Sequence, residues 1–241
     1  MTAPSTAPLR EARAFTFDCY GTLVDWERGL LDELRPWAAP SRATDEQLLA
    51  AFAAAESSCE QESPSSPYPD ILRAAHGRIA RSLGLPPDHL AAEALARSVG
   101  SWPPFADAPA ALAALGRRAR LVVVSNVDRR SFEATQRALG ARFDAVVTAE
   151  EVGAYKPDRR MFDRALAVLA GMGIAPFETI HVAQSLYHDH APAIALGLRT
   201  VWVDRRAGRQ GGATPAPPAG IRPTWTVGSL AELAGMVCAS G

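Results

Sequence analysis

The sequence predicts an α/β fold, a doubly wound parallel sheet with an all-helical segment inserted after its first strand. Five short runs rich in β-branched and aromatic residues alternate with helical stretches and short joints, which indicates parallel strands connected by helices. These runs lack strict polar–apolar alternation, as strands covered on both faces do. Residues 26–104, in contrast, have a helical composition interrupted by prolines and no strand pattern.

The first predicted strand, Ala14–Phe17, leads into a tight turn at Asp18–Thr22. The other predicted strands cover residues 121–124, 145–148, 179–182, 200–203 and, last, 225–227. The predicted helices between and after them cover residues 130–139, 157–169 and 190–196 and a stretch from Leu230. Residues 207–223, with their Gly and Pro, are predicted to form a surface loop.

The inserted segment is large enough to cover the carboxyl edge of the sheet as a cap. Its predicted helices are 27–37, 45–62, 68–83 and 88–99. We therefore expect a core made of residues 1–25 and 105–241 and a cap made of residues 26–104. Asp25–Trp26 and Trp102–Phe105 are the expected hinges between them.

The composition excludes several classes of function. Hydrophobic residues make up 48% and charged residues 21%, as in an ordinary globular protein. The 25 Lys and Arg residues balance 26 Asp and Glu residues, for a net charge of -1. This balance argues against a broad basic surface for nucleic acid or for anionic lipid.

Neither membrane insertion nor a cysteine-based site is expected. No stretch approaches the roughly 20 apolar residues of a membrane helix, and the first residues contain no apolar run typical of a secretory signal. Cys19, Cys59 and Cys238 are odd in number and share no metal-ligand spacing. We expect a cytoplasmic enzyme that acts on a small molecule, with a homodimer left open.

Reactive side chains follow the predicted strands at the edge where chemistry collects in parallel sheets. Asp18 can serve as a nucleophile, and Ser125 and Asn126 offer donors at a second strand end. Lys156 supplies a positive charge that would keep Asp18 ionised. Each residue alone also has a structural explanation, since a buried Asp can cap a turn and Ser-Asn can begin a helix.

Together and in this order, these residues resemble the haloacid dehalogenase superfamily. The resemblance is carried by Asp18-Cys19-Tyr20-Gly21-Thr22-Leu23, by Ser125-Asn126, by Lys156-Pro157 and by the loop ending in Asp189. It implies a Rossmann-like core, an inserted cap and a covalent aspartyl intermediate at Asp18.

Two positions favour the type II 2-haloacid dehalogenase branch, which uses no metal. Phosphatases of the superfamily carry a second Asp two residues after the nucleophile, where this chain has Tyr20, whose phenol is a poor acid at neutral pH. They also carry an earlier Asp in the magnesium loop, where this chain has Gln184, which brings no charge to a hard cation. The implied reaction converts short 2-haloalkanoic acids to 2-hydroxy acids through an ester on Asp18, with no cofactor.

The resemblance also implies roles for the surrounding residues. Thr22, Ser125 and Lys156 would hold Asp18, and Asp189 would orient Lys156 or activate water. The expected substrate contacts are Cys19 through its backbone, Tyr20, Asn126, Gln184 and Ser185. Trp26 and Tyr68 are candidates for the cap side of the pocket.

Some positions depart from the dehalogenase pattern. No single cap arginine can be aligned with the anion anchor of the family. Arg35, Arg42, Arg73 and Arg78 are candidates, although a solvated helix charge is the favoured explanation of each. Phe162 replaces a Tyr six residues after the lysine. His188 is a candidate base, although an exposed loop histidine is the favoured interpretation. Two alternatives stay open: a magnesium-dependent phosphatase using Asp18 and Asp189, and a non-catalytic binding protein.

Overall fold

The computed structural model describes residues 5–207 and 218–239 of the chain. The strands are β1 (Ala14–Phe17), β2 (Arg120–Ser125), β3 (Ala145–Thr148), β4 (Thr179–Ala183), β5 (Arg199–Val203) and β6 (Trp225–Val227). They form one six-stranded sheet in the order β3-β2-β1-β4-β5-β6. Every neighbouring pair is parallel, so the predicted doubly wound α/β fold is confirmed.

The described helices lie around this sheet and above its carboxyl edge. They are α1 (Ala7–Arg10), α2 (Trp26–Ala38), α3 (Asp45–Glu62), α4 (Tyr68–Ser82), α5 (His89–Ser98), α6 (Ala108–Gly116), α7 (Arg129–Leu139), α8 (Ala149–Val152), α9 (Arg159–Gly171), α10 (Ala191–Ala195) and α11 (Leu230–Cys238). Every residue of β1 and β4 is buried, because helices cover both faces of the sheet.

Several elements differ from the sequence-based expectation. The short helices α1 and α8 are not predicted, and two further differences lie in α6 and in the turn at Leu186–His190. The sequence does not predict α6, because its run of alanines lacks the polar positions that mark an amphipathic helix. In the structure α6 packs against α11. Residues Leu186–His190, expected as a loop, form a π-helical turn. In that turn the backbone N–H of His190 donates to the carbonyl of Ser185, five residues earlier, at 3.2 Å.

The helical segment α2–α5 is joined to the sheet by two chain passages that run side by side. The N–H of Asp25 donates to the carbonyl of Pro103 at 2.8 Å, and the N–H of Phe105 donates to the carbonyl of Leu23 at 2.9 Å. Val24 and Pro104 also form an antiparallel bridge. The passages lie where the sequence analysis expects the hinges; the division into core and cap stays a prediction.

The position of α3 is set by its first turn. The Thr44 hydroxyl accepts from the N–H of Gln47 at 3.3 Å, and the Gln47 side chain accepts from the N–H of Thr44 at 2.8 Å. This reciprocal capping box satisfies N–H groups that have no partner inside the helix. It fixes where α3 begins.

The predicted surface loop lies mostly outside the described residues. Across residues 5–207 and 218–239, no helix is both long enough and apolar enough to cross a membrane.

Candidate active site

Asp18 lies directly after β1, at the centre of the carboxyl edge, and both of its carboxylate oxygens are held. Oδ1 accepts from Nζ of Lys156 at 2.7 Å, and Oδ2 accepts from the Thr22 hydroxyl at 2.7 Å. The N–H of Asp18 donates to the carbonyl of Val182 in β4 at 3.1 Å. The carboxylate is therefore fixed in direction before any ligand arrives.

Lys156 is the only lysine in the chain, and its ammonium group is fully bonded. Nζ donates to Asp18 and to Oδ1 of Asp189, each at 2.7 Å, and to the carbonyl of Val124 at 3.0 Å. Since an ammonium has three N–H donors, none is left over. The side chain is 2% exposed, so the ion pairs lie away from solvent.

Asp189 connects this ammonium to a second buried group. Its Oδ1 also lies 3.0 Å from Nε2 of His181, whose Nδ1 lies 2.9 Å from the hydroxyl of Thr16. Burial alone would raise the pKa of the Asp189 carboxyl, but Lys156 and His181 outweigh it and hold this pKa well below its usual range. Asp189 is therefore a fixed negative charge.

The opposing effects on the carboxyl pKa balance differently at Asp18. Burial raises the pKa of the Asp18 carboxyl above its ordinary value, and the charge of Asp189 adds to this effect. Lys156 and Thr22 act in the opposite direction but do not outweigh burial. Removing the carboxylate from water is the larger effect, and Lys156 is the strongest of the groups that oppose it. That Lys156 keeps Asp18 ionised stays a prediction.

The turn after Asp18 is closed by Thr22 and Gly21. The Thr22 hydroxyl also accepts from the N–H of Gln184 at 2.9 Å, and the Thr22 carbonyl accepts from Arg205 at 2.8 Å. Gly21 has a φ of 96°, and a Cβ there would lie 3.0 Å from Nε1 of Trp26 and 3.2 Å from Oε1 of Gln184. Glycine is thus required both by the backbone and by the space.

Asn126 and Ser125 hold the segment at the end of β2 in different ways. Oδ1 of Asn126 accepts from the N–H of Lys156 at 2.7 Å, and its Nδ2 donates to the Lys156 carbonyl at 3.2 Å. Asn126 therefore positions the lysine backbone. Ser125 is fully buried and does not line the cavity, and its hydroxyl has no hydrogen-bond partner in the described part of the chain. The expected contact from Ser125 to Asp18 is not formed.

The remaining expected contacts are divided between the cavity wall and the core. Tyr20, Gln184 and Ser185 line the cavity beside Asp18. The Tyr20 hydroxyl lies 2.9 Å from that of Thr135. Cys19 is fully buried and does not line the cavity, and its carbonyl is taken by N–H groups of the turn. The contact expected from the Cys19 backbone to a substrate stays a prediction.

The cavity above Asp18 is small, about 60 Å³. Because a single water needs roughly 10–15 Å³ by this measure, it has room for a few non-hydrogen atoms rather than for a large ligand. Trp26 and Tyr68, expected on the cap side, line it, and so do Glu56 and Glu60.

Glu56 and Glu60 are not among the residues that the sequence predicts for the site. Both lie on α3 four residues apart, a spacing that places side chains on one helix face. Glu56 accepts a hydrogen bond from the Tyr68 hydroxyl at 2.5 Å. Within the described residues, Glu60 has no hydrogen bond or ion pair. Burial raises the pKa of Glu56 to about 7, and burial with the neighbouring charge of Glu56 raises the pKa of Glu60 well above its ordinary value.

The candidate cap arginines lie away from the cavity. Arg35 pairs with Asp32 and Asp45, Arg73 with Asp70 and Glu93, and Arg78 with Glu62. Arg42 is exposed beyond the end of α2. None of these four lines the cavity, so the expected anion anchor is not found among them.

The two remaining positions that the sequence analysis discusses, His188 and Phe162, lie at the cavity and in the core. His188 lines the cavity and is only partly exposed, so the favoured interpretation of an exposed loop histidine is wrong. Burial lowers the pKa of His188 to about 4, which leaves the imidazole neutral at pH 7. Phe162 is buried, and its ring packs edge-on against His181 with centroids 5.1 Å apart.

The donor set does not fit a magnesium ion. Asp18 and Asp189 direct oxygens at Lys156, and the position of a further carboxylate is occupied by the neutral side chain of Gln184. Mg²⁺ prefers carboxylate oxygens in near-octahedral geometry. Within the residues that the structure describes, no cluster of three His, Cys, Asp or Glu side chains could hold a metal.

The known proteins that this chain matches share a family but differ in the reaction that their names state. Residues 12–197 match the family model of haloacid dehalogenase-like hydrolases. The chain is 30% identical to the pyrimidine 5'-nucleotidase YjjG of Escherichia coli (strain K12) over 69% of this chain and 72% of that protein. It is 27% identical to the (S)-2-haloacid dehalogenase of Pseudomonas sp. (strain YL) over 90% of this chain and 91% of that protein.

Solved structures of L-2-haloacid dehalogenases have a similar fold. A defluorinating L-2-haloacid dehalogenase superposes with a TM-score of 0.74 at 23% identity, covering 98% of this chain and all of its own. At this identity the likeness concerns the fold.

Proposed function

The chain belongs to the haloacid dehalogenase-like hydrolase family, and from this premise we propose that it hydrolyses carbon–halogen bonds without a metal. Asp18 is the proposed nucleophile, and short 2-haloalkanoic acids and their close derivatives are the proposed substrates. The observation that carries the proposal is the replacement of both phosphatase carboxylates, at Tyr20 and Gln184, around an aspartate aligned by Lys156 and Thr22.

In the first step, a carboxylate oxygen of Asp18 attacks the carbon that bears the halogen. A carbon–oxygen bond forms, and the carbon–halogen bond breaks with its electron pair, which leaves as halide. Lys156 and Thr22 hold the carboxylate in direction, so little orientational freedom is lost on the way to the transition state. A halide departs without a proton, and no acid is needed at the position of Tyr20.

In the second step, water attacks the carboxyl carbon of the Asp18 ester. The bond from this carbon to the substrate oxygen breaks, the product leaves as an alcohol, and the carboxylate is restored. Negative charge develops on the Asp18 oxygens, where the Lys156 ammonium at 2.7 Å stabilises it. Asp189 orients that ammonium, and the neutral imidazole of His188 is the wall group proposed to accept the proton of water.

The alternatives are less well supported. A magnesium-dependent phosphatase would need a donor set that Gln184 and the lysine-bound Asp189 do not offer. A non-catalytic binding protein would have no use for a nucleophile whose two oxygens are both aligned by buried donors.

Halide release tests the proposal directly. Ion chromatography would follow chloride or fluoride from chloroacetate, fluoroacetate, both 2-chloropropionate enantiomers and 2-chloropropionamide, with EDTA present. We expect release by the wild type and none by Asp18→Asn, while Asp163→Asn, an exposed carboxylate on α9, keeps full activity. Turnover in H₂¹⁸O should also place the heavy oxygen in the Asp18 peptide.

Two results would overturn the proposal. One is halide release that survives Asp18→Asn; the other is absence of halide release together with magnesium-dependent phosphate release from a phosphate ester.

A further inference from the structure

The cavity contains more acidic groups than the proposed reaction uses. Asp18 and Asp189 take part through Lys156, but Glu56 and Glu60 line the same small space from α3 and have no role in the two steps. Lys156 is the one lysine or arginine in this wall. Four carboxyl groups therefore face a single ammonium.

The Lys156 ammonium has no free N–H donor for an anion. Its three N–H donors are directed at Asp18, Asp189 and the carbonyl of Val124. The cap arginines are paired or exposed away from the cavity. A ligand carboxylate would enter beside like charges, in a space where burial weakens the screening by water, and would find no free cationic partner.

The same wall suits a donor of hydrogen bonds. Glu56 is held by the Tyr68 hydroxyl at 2.5 Å, whereas Glu60 lines the cavity with its carboxyl group unpaired within the described residues. The aromatic side chains of Trp26, Tyr20 and Tyr68 lie around the same space. Carboxylates combined with aromatic faces favour a cation or an N–H group over an anion.

We propose that the substrate presents an N–H donor, an amide or an ammonium group, to Glu60 and Glu56, and that this glutamate pair selects against substrates with a free carboxylate. The inference rests on the proposed function, and it narrows the proposed substrates from 2-haloacids and their close derivatives to the derivatives that carry an amide or amine group in place of the free carboxylate. Glu60 is the specificity-determining residue, because Glu56 already has Tyr68 as a partner.

Ligand binding without chemistry tests the inference independently of turnover. Isobutyramide and isobutyrate replace the halogen of 2-chloropropionamide and 2-chloropropionate with a methyl group, so neither can react. Because the chain has one lysine, ¹³C-lysine labelling gives a single side-chain NMR signal inside the cavity, which reports occupancy during titration. The wild type, Glu60→Gln and Glu46→Gln would be compared, since Glu46 lies on α3 but is exposed and outside the cavity.

We expect the wild type to bind the amide at least about tenfold more tightly than the carboxylate. Glu60→Gln should reduce this ratio by roughly threefold or more, because the glutamine amide offers an N–H donor to a ligand carboxylate, and Glu46→Gln should leave it unchanged. In turnover, kcat/KM should favour 2-chloropropionamide over 2-chloropropionate in the same sense.

Equal or tighter binding of isobutyrate, a ratio that Glu60→Gln does not change, or no binding of the amide would each overturn the inference. A clear preference for the amide without any halide release would instead support the inference and overturn only the proposed reaction.

Discussion

The two walls of the cavity differ in the partners that they provide for their carboxyl groups. On the sheet side, the Lys156 ammonium has three partners, Asp18 has two and Asp189 has two. On the cap side, Glu56 has the neutral hydroxyl of Tyr68, and Glu60 has no partner within the described residues. The charged groups of the sheet wall have their hydrogen-bond partners before a ligand binds, whereas the cap wall keeps an unpaired carboxyl group.

The difference follows from the cost of removing charge from water. A buried ion is tolerated when opposite charges and hydrogen bonds compensate for lost hydration, as Lys156 does for Asp18 and Asp189. Glu56 and Glu60 make no ion pair within the described residues, and burial raises the pKa of both carboxyl groups. The sheet wall therefore fixes the reaction, while the cap wall is suited to choose the ligand.

The largest expected effect comes from removing the cation of the sheet wall. Lys156→Met leaves Asp18 and Asp189 buried without their shared partner. We expect the free energy of unfolding to fall by about 3–5 kcal/mol. Halide release should fall by roughly a thousandfold or more, because the developing charge on Asp18 loses its main stabilising group. Urea denaturation and ion chromatography measure the two effects.

A double variant separates charge from packing. In Lys156→Met/Asp189→Asn one of the two unpaired carboxylates becomes neutral, so part of the lost stability should return while activity stays absent. If the double variant were no more stable than Lys156→Met, the loss would come from packing rather than from unpaired charge. The comparison between the walls would then lose its electrostatic basis.

The second effect concerns the cap wall and depends on pH. Burial raises the pKa of Glu56 to about 7 in the folded protein, above the ordinary value of about 4.3 in an unfolded chain. Between these values the folded state binds more protons than the unfolded state, so stability falls as pH rises. We expect this group to cost about 1–3 kcal/mol by pH 8, and Glu56→Gln to remove the cost.

Denaturation at pH 5 and pH 8 checks the sign. Glu56→Gln keeps an oxygen that accepts from Tyr68, and it should be more stable than the wild type at pH 8 while differing little at pH 5. The charges of Glu60, Tyr155 and Lys156 lie close enough to influence the titration of Glu56. Glu46→Gln, which removes an exposed carboxyl group from the same helix, is the reference for the general effect of pH on stability. A stability difference that does not grow with pH would contradict a protonated glutamate on the cap side.

The fold was predictable from the sequence to a large extent. The buried strands are short runs of β-branched residues with clear ends, and all six lie where the pattern predicts them to within a residue at each end. The sequence does not predict α6, because a helix of mostly alanine and leucine has no amphipathic period. The π-helical turn at Leu186–His190 is not predicted, because five residues are too few for a periodic pattern to show.

The sheet wall of the site was predictable for a similar reason, and the cap wall was not. Parallel strands bring their carboxyl ends to one edge, so Asp18, Asn126 and Lys156 could be placed together from chain order alone. Ser125 and Cys19 lie in the same segments but face the core. Glu56 and Glu60 required the rotation of α3, which depends on tertiary packing. An acidic pair spaced by four residues was the available signal.

The smallest expected effect tests whether the leaving group needs a proton. Tyr20→Phe removes the hydroxyl that lies 2.9 Å from that of Thr135 but keeps the ring, which packs edge-on against Trp102. We expect a loss of about 1 kcal/mol in the free energy of unfolding. Burial raises the pKa of Tyr20 well above its ordinary value, which holds the phenol protonated, and halide departs without a proton. Halide release should therefore change by less than about threefold, well below the effect of an acid catalyst.

Thr135→Val is the matched variant for this test, because it breaks the same hydrogen bond from a residue that does not line the cavity. Equal, small effects of the two variants on kcat would attribute them to the lost hydrogen bond. A loss of a hundredfold or so in Tyr20→Phe alone, with a changed pH profile, would make the phenol an acid in the reaction. The leaving group would then be an oxygen or nitrogen rather than a halide, and the sheet wall would serve a different hydrolysis.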